Sequence, residues 1–112
     1  MTRQASLGEF EQLVLLAILG LGEVATGPNI SGTLEEKAGR SVSRGALYSA
    51  LDRLESKDFL TWRVEPSTPE RGGHPARLFT VTEAGLDAIR ERQRALRNLT
   101  DGLEDILEVS GP

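Results

Sequence analysis

The sequence predicts a mainly α-helical fold with one small β-hairpin, and two observations lead to that fold class. Residues 42–60 have the apolar spacing of a helix and carry polar and aromatic side chains off the apolar stripe. Two short strand-like segments follow, joined by a loop that is rich in Gly, Pro and Arg. A helix with a polar outer face followed by a basic β-ribbon is typical of a winged helix-turn-helix, which binds double-stranded DNA.

Length and composition limit the class of protein. The 112 residues suffice for one domain with a small core, and the absence of cysteine excludes disulfides, thiolate metal sites and a cysteine nucleophile. The longest apolar run, residues 13–19, is well short of the roughly 20 residues that span a bilayer. The N-terminus lacks the basic-then-apolar profile of a secretory signal. We therefore expect a soluble cytoplasmic protein without membrane contact.

The net charge of −4 is unevenly distributed along the chain. From residue 83 onward seven acidic residues stand against four arginines, whereas residues 39–77 carry seven basic and five acidic residues. Duplex binding requires a local basic patch and not a basic chain as a whole. The central segment is therefore compatible with DNA binding, and we expect its non-specific affinity to be modest.

The first two helices are predicted from apolar spacing and end signals. Residues 7–22 form the first helix, with Ser6 as its N-cap. Its apolar side chains point in most directions, so we expect it to be central to the core or shared with a second subunit, through Phe10 and Leu13. A second helix spans about residues 27–39, with a proline just inside its start.

The third helix carries the candidate binding face. It runs from a serine cap, Ser41 or Ser43, to about Lys57. Asp58 ends it, because aspartate tolerates the left-handed conformation at modest cost. The apolar stripe of this helix comprises Leu47, Ala50, Leu51 and Leu54. The side chains off that stripe, available to an external ligand, are Arg44, Tyr48 and Ser49.

Residues 59–64 and 77–81 are predicted to pair as antiparallel strands. Alternation along the first strand places Leu60, Trp62 and Val64 on one face. The segment between the strands contains three prolines and two glycines, so it must be an open loop.

Residues 83–109 are predicted as a final helix about 40 Å long, at 1.5 Å per residue. Its inward positions step alternately by three and four residues, the spacing of a coiled coil. The chain thus divides into a DNA-binding domain, residues 1–82, and a dimerisation helix, residues 83–109. The alternative is a helix folded back on its own domain. The dimerisation residues predicted in this helix are Leu86, Ile89, Leu96, Leu99, Leu103, Ile106 and Leu107.

Three motifs carry a family resemblance: VSRGALYSALDRLE, RGGHPARLF and TVTEAG. With the segments around them, they make residues 7–107 similar to the PadR family of bacterial transcriptional regulators. The resemblance implies a dimeric winged-helix repressor whose first and last helices build the dimer, and the single C-terminal helix resembles the short subfamily. It implies that the major groove or its phosphates face Ser43, Arg44 and Tyr48. It also implies a wing formed by Arg71, Gly72, Gly73 and Arg77.

Some predicted DNA contacts have alternative interpretations. Tyr48 could be a half-buried core tyrosine, and Arg71 and Arg77 could serve only to solubilise the hairpin. Arg44 is at the start of its helix, where a positive charge is unfavourable for the helix dipole. This position suggests that Arg44 binds a ligand, and a DNA phosphate is favoured over a base as that ligand. The complete predicted set is Ser41, Ser43, Arg44, Tyr48, Ser49, Arg71, Gly72, Gly73, His74 and Arg77.

Two positions depart from the family pattern. Many relatives have an aromatic residue where this chain has Thr26, and glycine where it has Asp58. We expect the first change to alter packing near the dimer or effector region and the second to change only a turn.

The expected function is that of a homodimer on a pseudo-palindromic operator, released by a small-molecule effector that favours one of two conformations. Trp62 is assigned first to the core of the hairpin sheet, and it is also a candidate effector contact. The alternative is a winged-helix protein–protein module without DNA binding, which the acidic balance favours. No catalytic residues, metal site or cofactor are expected, because no nucleophile–base or paired-carboxylate pattern stands out and His74 is the only histidine.

Overall fold

The computed structural model of the chain describes residues 6–66, 72 and 75–108. Helices and a two-stranded antiparallel hairpin follow one another in the predicted order, which confirms the fold class. The elements are α1 (Glu9–Leu21), a short 3₁₀ turn (Gly22–Val24), α2 (Gly27–Ala38), α3 (Arg44–Ser56), β1 (Leu60–Glu65), β2 (Ala76–Val81), α4 (Glu83–Thr100) and α5 (Glu104–Leu107).

Helix α1 is central to the fold, as its apolar sides predict. It packs against α2, α3, β2 and α4, and Val14, Leu15 and Ile18 are at most 2% exposed. The apolar stripe of α3 is buried in the same core. Each large aliphatic side chain buried in this way stabilises the fold by about 1.5–3 kcal/mol. The core therefore holds α3 through one face and leaves its opposite side in solvent.

The start of α1 differs from the prediction, because Ser6 is not its N-cap. Gly8 occupies that position, and its N–H donates to Glu11 Oε1 at 2.7 Å. Glu11 is only 4% exposed, and it accepts hydrogen bonds from Lys57 Nζ at 2.8 and 3.0 Å and from Arg53 Nε at 3.2 Å. The carboxylate thus joins the start of α1 to the end of α3, a role that the sequence pattern did not reveal.

The ends of α3 follow the prediction. Ser43, and not Ser41, is the N-cap, and its Oγ accepts the Ala46 N–H at 3.1 Å. Asp58 follows the helix with φ of 67°, in the left-handed region that glycine adopts more readily. The turn into β1 is therefore sharp, and it sets where the hairpin starts relative to α3.

The hairpin is tied to the helical body along its second strand. Strands β1 and β2 pair throughout, with Trp62 opposite Phe79 and Val64 opposite Arg77. The Phe79 N–H turns away from β1 and donates to the carbonyl of Ala25 at 3.0 Å. The segment before α2 therefore fixes the outer edge of β2.

The TVTEAG motif docks α4 onto the turn between α3 and β1. Thr82 Oγ1 accepts the Gly85 N–H at 3.0 Å and donates to the Asp58 carbonyl at 2.6 Å. A Cβ at Gly85 would overlap the Phe59 carbonyl oxygen and lie 2.8 Å from Val81 Cγ1. Glycine is required here by close packing.

The last helix is long but shorter than predicted. It ends at Thr100, and Asp101 and Gly102, with φ of 83° at the glycine, interrupt it before α5. Glycine has poor helix propensity and enters the left-handed region without steric cost, which explains the break. The predicted end at Val109 lies outside the described residues.

Candidate nucleic-acid interface

The side of α3 that faces away from the core is exposed near the N-terminus of the helix. Ser41, Ser43, Arg44 and Ser49 are exposed, while the apolar stripe on the other side is buried. The predicted division of α3 into two faces is therefore confirmed. A helix N-terminus also concentrates unpaired N–H groups and partial positive charge, which favour an anion.

Tyr48 lies at the edge of that face and is half-buried. Its ring centre is 5.4 Å from Arg44 Cζ and 5.2 Å from Arg77 Cζ, so one arginine comes from its own helix and one from the hairpin. A Cβ at Gly27 would overlap the Tyr48 hydroxyl oxygen. The tyrosine therefore packs against the start of α2, and glycine at that position makes room for it.

Arg77 contacts two further rings. Its Cζ lies 4.6 Å from the Trp62 ring centre and 5.4 Å from that of Phe79. Cation–π contacts act within about 6 Å, so all three rings attract the guanidinium. The cluster of Arg77, Tyr48, Trp62 and Phe79, which we name the Arg77 stack, joins α3 to both strands of the hairpin.

A cleft of about 1190 Å³ lies between the start of α2, the N-terminal half of α3 and the hairpin. Arg44, Tyr48 and Arg77 line it, together with Glu23 and Glu65. Glu65 is paired with Arg63, at 2.9 Å. The cleft brings predicted binding residues of α3 and β2 onto one concave surface, but its charge is mixed.

The tip of the hairpin is described only at Gly72, which is exposed with φ of 65°. Three residues predicted to contact DNA, Arg71, Gly73 and His74, lie outside the described residues. Among the residues that are described, no group of three or more His, Cys, Asp or Glu could hold a metal ion. No described helix is both long and apolar enough to cross a membrane.

A second exposed feature is apolar and lies at the C-terminal end. Leu99 is 74% and Ile106 79% exposed. Exposed apolar side chains that are close together on a surface can mark an interaction site. Residues 93–99 of α4 are exposed as well. The leucine surface, as we name it, consists of Leu96, Leu99, Leu103, Ile106 and Leu107.

The other predicted dimerisation residues are less available. Ile89 is 5% exposed within the core of its own chain, and Phe10, Leu13 and Leu86 are half-buried. By contrast, α1 exposes two leucines that the prediction did not single out, Leu16 and Leu19. Their apolar character in an already apolar helix gave no signal of which side would remain uncovered.

Known proteins resemble this chain in both sequence and fold. The sequence profile of the transcriptional regulator PadR-like family matches residues 15–91, and no curated protein matches the chain. A PadR family transcriptional regulator from Eggerthella lenta is 28% identical, with a TM-score of 0.66 over 91% of this chain and 88% of that one. A PadR family transcription regulator from Clostridium difficile is 20% identical, with a TM-score of 0.69 over 88% and 99%.

One further solved structure is that of Bacillus subtilis PadR in complex with operator DNA. It is 21% identical, with a TM-score of 0.62 over 76% of this chain and 47% of that one. At this identity the likeness shows the fold alone. The resemblance read from the three sequence motifs is confirmed by the profile match and by these structures.

Proposed function

The chain belongs to the transcriptional regulator PadR-like family, and on that premise we propose that it is a DNA-binding repressor acting as a homodimer on a pseudo-palindromic operator. The observation that carries the proposal is the exposed N-terminal face of α3 beside the hairpin, with Arg44 and three serines in solvent. Bacillus subtilis PadR, a protein of the same fold, has been solved in complex with operator DNA, which supports a DNA partner here.

In the proposed complex, α3 enters the major groove and the hairpin follows the neighbouring backbone. Arg44 and the N-terminal N–H groups of α3 contact phosphates, which position the protein, while Ser43 and Ser49 reach toward base edges. The wing residues Arg71 and His74, predicted from the sequence, complete the contact from the hairpin tip. Affinity should therefore be moderate and strongly salt-dependent.

The homodimer is proposed from the leucine surface. Such a surface is costly to leave in water, and an equivalent surface on a second copy covers it by two-fold symmetry. The exposed Leu16 and Leu19 of α1 extend the apolar area available to a partner. A two-fold dimer can place two recognition helices about 34 Å apart, in successive major grooves.

Release by a small molecule is proposed as the regulatory step. An effector that binds one arrangement of the two α3 helices more tightly shifts the population away from the DNA-bound form. Trp62 is 37% exposed and is the proposed contact. An effector against its ring would also act on the Arg77 stack.

The placement of the interface is tested by the salt dependence of DNA binding in the double variant Arg44→Ala, Arg71→Ala. Each lost phosphate contact should reduce the slope of log affinity against log salt by about 0.9. Arg90→Ala is the matched control, because Arg90 pairs with Asp87 on α4, away from the cleft. A double variant with the affinity and slope of the unmodified protein would rule out this interface.

A protein–protein module is the second candidate. The net charge of −4 and the presence of Glu23 and Glu65 in the lining of the cleft favour it. A folded dimer that binds no DNA sequence in a genome-wide selection would favour the protein–protein module over the DNA-binding repressor.

A further inference from the structure

We propose that Arg77 is a positioning residue that fixes the hairpin against α3 through the Arg77 stack, and that it is not a phosphate ligand. This inference rests on the proposed DNA binding, and it assigns different tasks to the two arginines of the cleft. Arg44 contacts the DNA, whereas Arg77 holds the two strands of the hairpin in a fixed orientation relative to α3.

The geometry of the stack carries the proposal. Its three rings come from three elements: Tyr48 from α3, Trp62 from β1 and Phe79 from β2. Their centres lie 5.2, 4.6 and 5.4 Å from Arg77 Cζ. A planar guanidinium among three ring faces connects elements that no described side-chain hydrogen bond joins at this point. Loss of the cation would leave the outer half of the hairpin without this attachment to α3.

Burial and ring contacts separate Arg77 from Arg44, although both arginines line the same cleft. Arg77 is half-buried, whereas Arg44 is exposed. The guanidinium of Arg77 lies over three rings, whereas that of Arg44 lies over one, the ring of Tyr48. Arg77 is therefore less open to a phosphate than Arg44.

The position of Tyr48 supports the same role. Gly27 leaves space for its hydroxyl against the start of α2, so the ring that Arg77 contacts is itself held between two helices. The stack thereby fixes the position of the hairpin relative to both α2 and α3. These are the elements whose relative orientation decides whether helix and wing can engage one duplex simultaneously.

The test is a double-mutant cycle with Arg77→Gln and Trp62→Leu, in which operator affinity is measured over a series of salt concentrations. Each single variant should weaken binding about fivefold to tenfold, the range of a partly desolvated cation–π contact. The salt slope should remain that of the unmodified protein, because no phosphate contact is lost. The double variant should be little weaker than Arg77→Gln alone, because Arg77→Gln already removes the contact with Trp62.

One readout needs no DNA, and a second does not depend on the Arg77→Gln variant. Trp62 is the only tryptophan of the chain, so its fluorescence emission in free Arg77→Gln should shift from that of the unmodified protein. If Arg77→Gln fails to fold, the operator affinities of Trp62→Leu and Trp62→Phe are compared instead. Trp62→Phe keeps a ring face and should retain affinity, whereas Trp62→Leu should lose it.

A salt slope reduced by about 0.9 in Arg77→Gln would make Arg77 a phosphate ligand and overturn the proposal. Additive losses in the cycle, or unchanged Trp62 emission, would overturn it as well. Failure of the unmodified protein to bind any DNA would instead refute the proposed function, while the emission measurement would still decide whether the stack forms.

Discussion

Glu11 shows how one residue can hold two distant elements together. Burial by itself raises the pKa of its carboxyl, but hydrogen bonds from Lys57, the Gly8 N–H and Arg53 outweigh it, so the pKa lies below its ordinary value. A carboxyl with a lower pKa in the folded than in the unfolded state stabilises the fold when it is ionised. That contribution is present above the ordinary glutamate pKa and is lost as the pH falls through the lowered one.

Glu11→Gln should lower the free energy of unfolding by about 1–3 kcal/mol at neutral pH, because a charged acceptor of several hydrogen bonds is lost from a buried position. The difference in stability should become smaller in acid, because Glu11 of the unmodified protein is then protonated and as uncharged as the glutamine. Chemical denaturation over a pH series measures both effects. Glu9→Gln is the control, since its ion pair with Arg40 is exposed and should change stability by at most about 0.5 kcal/mol. Equal effects of the two substitutions, or a pH-independent difference, would contradict this role.

Gly85 is the second residue whose identity the structure explains. A methyl group there meets the Phe59 carbonyl and Val81, so Gly85→Ala should destabilise the fold by about 1–3 kcal/mol through overpacking. Gly32→Ala is the matched control: it lies within α2, where an added Cβ contacts nothing, and should stabilise by about 0.5–1 kcal/mol. Thermal unfolding of both variants measures the difference. A neutral Gly85→Ala would show that α4 does not dock as described.

At the scale of elements, local signals predicted most boundaries. Helix α3 starts after Ser43, as the capping preference of serine predicts, and ends before Asp58, as the tolerance of aspartate for the left-handed conformation predicts. The cap of α1 was predicted wrongly because the structure uses Gly8 with Glu11, whose partner Lys57 is 46 residues away in sequence. Such a long-range ion pair leaves no periodic signal. The break at Gly102 agrees with the poor helix propensity of glycine, whereas the heptad spacing led to the prediction of one continuous helix.

The C-terminal helices carry the prediction on assembly. Leu99→Glu places a charge in the leucine surface and should weaken the homodimer at least about tenfold, because the carboxylate must be desolvated on association. Asn98→Glu adds the same charge at an exposed neighbouring position off that surface and should leave association unchanged. Sedimentation equilibrium measures both. A Leu99→Glu protein as dimeric as the unmodified one would place the dimer contact elsewhere.

At the scale of the whole molecule, the sequence predicted the fold class and the exposed face of α3, but not how the cleft is assembled. The sequence indicates Arg77 as a candidate DNA contact and Trp62 as a candidate effector contact, with no link between them. The structure places Arg77 Cζ 4.6 Å from the Trp62 ring centre and 5.2 Å from that of Tyr48. Three rings from three elements meet only through tertiary packing, so neither helical nor strand periodicity could indicate the cluster.

The most direct test of the central claim is a fluorescence-anisotropy titration of the purified protein with the intergenic DNA upstream of its own gene, and with operators recovered by genome-wide selection. Two salt concentrations and excess competitor DNA separate specific from non-specific binding. We expect competitor-resistant binding that weakens with salt and saturates at two chains per operator. Absence of competitor-resistant binding to every such DNA, by a protein shown to be folded and dimeric, would contradict the account.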